Sequence, residues 1–83
     1  MASPAPSSHL NDLLLEAHER GDHQDLVQLY GQAADEKEAA GDTEATCFFL
    51  TQAFIFALES GDAAASQLNR RLVAYGREEP LDP

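Results

Sequence analysis

Apolar positions along the chain fall into four blocks of helical spacing, separated by Gly-Asp pairs at Gly21-Asp22, Gly41-Asp42 and Gly61-Asp62. In the first block Leu10, Leu13, Leu14 and Ala17 follow the i, i+3, i+4, i+7 order of one apolar helix face. In the second, Leu26, Leu29, Tyr30, Ala33, Lys37 and Ala40 trace a stripe. Gln28, Gln32, Asp35, Glu36 and Glu38 take much of the remaining circumference, which predicts one wet face. The fourth block carries Ala65, Leu68, Leu72 and Tyr75 as its inward stripe, with Gln67, Asn69, Arg70 and Arg71 largely outside it. The third differs from all of these. Between Ala45 and Leu58 only Thr46, Thr51 and Gln52 are polar, so its helix is apolar nearly all round and is expected to be central and the most buried.

The Gly-Asp pairs read as helix punctuation. Gly adopts the left-handed conformation that closes a helix, and an Asp carboxylate accepts the exposed N–H groups that open the next. Caps at Gly21, Asp22, Gly41, Asp42, Gly61 and Asp62 therefore predict helices over 8–20, 22–40, 42–60 and 62–77, with Ser7 or Ser8 capping the first. Junctions this short make successive helices adjacent and antiparallel. The predicted fold is all-α, four antiparallel helices forming two consecutive helical hairpins, as an open array or a compact bundle. "MASPAPS" and "EEPLDP" are rich in proline and small or acidic residues, so disordered tails are expected at 1–7 and 78–83 around a single domain at 8–77. Gly31 interrupts the second helix where Ala would be more favourable by about 1 kcal/mol. A close crossing by Phe49, Phe54 or another bulky group is the expected reason.

Composition narrows the partners more than the fold. The sum of Asp and Glu is 15 against 5 Lys and Arg, a formal net charge of −10, which disfavours nucleic acid. The excess lies in residues 1–62, whereas the basic residues Arg70, Arg71 and Arg77 follow them. Such a surface keeps a protein in solution, steers a basic partner, or acts as an acidic decoy for a basic site. The one cysteine, Cys47, lies in the most apolar segment and reads as a small core residue in a reducing compartment. "CFFLTQAFIFAL" is far shorter than the roughly 20 residues of a membrane span, so neither a membrane partner nor an insertion is expected. A cytoplasmic protein follows from these readings.

Chemistry-bearing motifs are weak. His18 and His23, with Glu19 and Asp22, suggest a metal site or minor enzyme. However, an interval of five across a Gly-Asp break does not match the i, i+4 pair of a helical zinc site. His18 suits a helix C-terminus instead. Arg20-Gly21-Asp22 spells an adhesion tripeptide but sits at a helix junction. Asp35, Glu36 and Glu38 lack the alternating ligands and central glycine of a calcium loop. Cys47 has no neighbouring histidine to activate it. No cofactor and no catalytic residue is expected.

What stands out is the third helix. Placing its residues at about 100° intervals sets Glu44, Thr51, Gln52 and Glu59 on one narrow side. Phe48 and Ile55 fall on that same side. Either a terminus or neighbouring helix covers these two, or Phe48, Ile55, Thr51 and Gln52 form a surface for a protein partner or a homodimer. "LYGQAA" followed by "AGDTEATCFFLTQAFIFALESGD" resembles one hairpin of a tetratricopeptide-like (TPR-like) array. The likeness covers roughly residues 22–76, although a hairpin here takes 40 residues and the family's about 34. "CFFLTQAFIFALESGD" is also similar to short bacterial proteins of unknown function. The resemblance implies a non-catalytic protein–protein interaction module.

Overall fold

A computed structural model describes residues 8–81. The tail expected at 1–7 lies outside the described residues, as do residues 82 and 83. Among the described residues the fold is all-helical, with α1 at Ser8–Arg20, α2 at His23–Ala39, α3 at Thr43–Ser60 and α4 at Ala64–Ala74. The helices pack in series. α2 and α3 share the largest interface, α1 lies on α2, and α4 lies on α3.

Each helix end follows one local rule. Gly21, Gly41 and Gly61 have φ of 65°, 76° and 66°, and the following Asp N–H reaches back to the carbonyl five residues earlier. The three bonds run from Asp22 to Ala17, from Asp42 to Lys37 and from Asp62 to Ala57. The same Asp then faces forward. The Asp22 carboxylate accepts the Asp25 N–H, and the Asp42 carboxylate accepts the Ala45 N–H, both at 3.1 Å. Asp62 departs from this pattern: its carboxylate accepts the Ala64 N–H at 2.8 Å across a turn, and α4 starts two residues later than expected.

The far end of α4 corrects the expectation of a helix to residue 77. Gly76 has φ of 73°, and the Arg77 N–H bonds to the Leu72 carbonyl, so α4 closes at Ala74 with the same device as the other three. Beyond it the chain folds back along α4. The Asn69 amide donates to the Glu79 carbonyl at 2.9 Å, and the Leu81 N–H donates to the Asn69 side-chain oxygen at 3.1 Å. Asn69, expected outside the inward stripe, is thus 3% exposed, and residues 79–81 of the tail expected to be disordered lie against the domain.

The core is one cluster drawn from all four helices. α3 supplies Ala45, Phe49, Leu50, Ala53, Phe54 and Ala57, as its apolar circumference predicts. Leu10, Leu14 and Ala17 come from α1, Leu26, Val27, Ala33 and Ala34 from α2, and Leu68 and Leu72 from α4. The arginines of the C-terminal quarter reach back to the acids before them. Arg71 pairs with Asp35 at 2.9 Å and Glu38 at 3.3 Å, and the Tyr75 hydroxyl donates to the same Glu38.

Both tyrosines are held above the ordinary phenol range. Burial raises Tyr30, while the hydrogen bond to Glu38 raises Tyr75, helped by burial and the Glu38 charge. A folded pKa above the unfolded one gives stability that is complete below about pH 10 and is lost as pH rises through the folded values. Absorbance titration at 295 nm should therefore show both phenols ionising above pH 10, with stability falling over that interval.

Gly31 overturns the close-crossing expectation. A Cβ built there meets nothing within 4 Å. The residue lines an open groove of about 340 Å³ between Val27 and Asp35 of α2 and Ala64, Leu68 and Arg71 of α4. With no neighbour to displace, Gly31→Ala gains helix propensity alone. It should stabilise the protein by about 1 kcal/mol, read as a higher urea midpoint at unchanged slope.

Candidate docking surface on the third helix

Two neighbours leave part of α3 uncovered. Among the described residues α2 and α4 make the main interfaces with α3, and one side of it keeps apolar side chains exposed. That side carries Phe48, Ile55 and Leu58, which are 44%, 42% and 51% exposed. Thr51 and Gln52 lie between them, half-buried. Glu44 and Glu59, both exposed, mark its two ends, 15 residues and about 22 Å apart.

The upper half of this face is shaped by a side chain from beyond α4. Glu44, Cys47, Phe48, Thr51, Gln52 and Arg77 line a groove of about 460 Å³. The Arg77 guanidinium donates to Glu44 at 2.6 Å, which closes the groove at its acidic end. The Phe48 ring makes an edge-to-face contact with buried Phe49, centroids 5.2 Å apart. Thr51 donates its hydroxyl to the Cys47 carbonyl at 2.8 Å. Gln52 is half-buried on the same groove. Cys47 is a buried free thiol at the groove floor.

The structure thus brings Phe48, Thr51 and Gln52 together around one groove and places Ile55 on the same face, two turns from Phe48. Sequence reasoning missed two contributors. Leu58 occupies the edge of the same face, about 60° from Ile55, and the 100° placement that found Ile55 could have found it. Arg77 had no such signal, because its place depends on how the chain turns after Gly76.

The histidines pack among aromatic rings. His18 shares a 2.8 Å hydrogen bond with the Tyr30 hydroxyl. The rings of His18 and His23 lie 5.8 and 5.3 Å from Phe56, which in turn stacks on Tyr30. No group of three His, Cys, Asp or Glu side chains converges among the described residues. No described helix is long and apolar enough to cross a membrane.

In class, the chain is an all-α protein of four serially packed helices with an apolar face left open on α3. No family model, curated protein or solved structure matches it.

Proposed function

We propose that the chain is a small, non-catalytic interaction module that docks a protein partner on the open face of α3. The observation that carries this reading is the alignment of Phe48, Ile55 and Leu58, all more than 40% exposed, on one side of a single helix. Scattered surface apolar residues need no explanation, but three on one side of a single helix that is packed on α2 and α4 are a candidate docking surface. The Phe48 ring rests edge-to-face against buried Phe49, a contact that a partner can build on. Serial helical hairpins support the same reading by analogy with the tetratricopeptide-like arrays that the sequence resembles. A free buried Cys47 suits the cytoplasm as its place of work.

Affinity capture from the native cell tests this. Proteins retained by the wild-type chain should be lost with Phe48→Asp and with Ile55→Glu, each shown by circular dichroism to remain helical. Capture unchanged by both substitutions would remove α3 as the docking face.

A further inference from the structure

Resting on the docking reading above, we infer that the occupant of the α3 face is a basic amphipathic helix. Three features of the face point to that chemistry. Its ends are carboxylates, Glu44 and Glu59, and its middle is the apolar strip of Phe48, Ile55 and Leu58. A helix laid along it would match this order with apolar side chains at i, i+3 or i+4 and i+7, and with Lys or Arg beyond them at both ends. The intervening Gln52 carboxamide takes one polar side chain of the same helix.

Arg77 already displays half of this recognition. Its guanidinium seats on Glu44 beside Phe48, a cation at an acidic end of an apolar groove, supplied in cis by the chain itself. An incoming base at that end competes with Arg77, whereas one at the other end meets Glu59 alone.

Charge also decides between this occupant and a second copy. Each chain carries a net charge of −10. A two-fold axis near Thr51 and Gln52 would bring two chains of that charge face to face, with Glu59 of one copy beside the Arg77–Glu44 pair of the other. A basic helix gains an attractive contact at Glu59, and the field of the whole molecule draws it in.

The test uses the full chain and a fluorescein-labelled 18-residue peptide of Leu, Ala and Lys, in amphipathic order or scrambled at equal composition. Anisotropy should show the amphipathic peptide binding at least about ten-fold more tightly than the scrambled one. Phe48→Asp adds negative charge and yet should weaken binding about ten-fold, as should Ile55→Glu, which has no ring contact to disturb. Glu59→Gln should weaken it several-fold, and Arg77→Ala, by freeing Glu44, should strengthen it. Equal binding of the scrambled peptide, or tighter binding by Phe48→Asp, would reduce the interaction to unspecific charge and overturn the inference. A wild-type dimer in light scattering that Phe48→Asp dissolves would overturn it in favour of a second copy. If native capture depends on Phe48 while the peptides are not discriminated, the docking reading stands and the basic helix falls; if neither depends on Phe48, both fall.

Discussion

Phe49→Ala should destabilise the protein by about 3–5 kcal/mol, against a total stability of roughly 4–12 kcal/mol for a chain of this size. Phe49 is among the largest fully buried side chains, at 2% exposure. Its ring also joins two separate layers: it lies 6.1 Å from Tyr30 of α2 on one side and supports exposed Phe48 on the other. Removing it leaves a cavity between α2 and α3, the largest interface of the fold, where two helices held by short junctions cannot collapse freely. The Phe48 ring loses its underside at the same time. Urea unfolding should report the lower midpoint, and binding at α3 should weaken even in the fraction that stays folded. A loss under 1 kcal/mol would mean that the α2/α3 interface tolerates the void.

Asn69→Ala should lower stability by about 2 kcal/mol, the sum of two hydrogen bonds of about 1 kcal/mol each. The carboxamide ties α4 to the returning tail, gripping the chain at two backbone groups two residues apart. Ala leaves no buried polar atom unsatisfied, because the Glu79 carbonyl and the Leu81 N–H regain water once the tail lifts. The effect is therefore smaller than for a core aromatic. It has its own signature: hydrogen exchange at the Leu81 amide should accelerate to the rate of an open chain, while α3 amides keep their protection. Unchanged protection of Leu81 would show that the tail is held by something other than Asn69.

These two residues mark the limits of what a linear reading reaches. Phe49 belongs to a segment whose apolar circumference announces burial whatever packs against it. Asn69 sits outside the apolar stripe of α4, and nothing local says that a chain ten residues later will return to it. Gly31 misled for a related reason. A helix glycine signals a close approach only when a neighbour is present, and the α2–α4 groove leaves that position open. Gly76, by contrast, carried the same closing signal as Gly21, Gly41 and Gly61, but without a following Asp it did not stand out as a helix end.

On the α3 face, the strip of Phe48 and Ile55 was legible from angular placement alone. Its actual exposure was not, because a stripe on a helix is free or covered according to which helices lie beside it. The Arg77–Glu44 pair joins groups 33 residues apart and depends on the turn after α4.

The sequence by itself determined the all-α class, the four helices and their Gly-Asp boundaries, because capping and helix closure are bonds within five residues of chain. It also determined that α3 is central, because an apolar circumference is stable only when enclosed. Only the tertiary structure decided that α3 is enclosed on two sides and open on the third, that Asn69 holds the tail, and that Arg77 caps the groove. Those outcomes come from contacts between residues distant in the chain, whose geometry is set by the joint packing of all four helices.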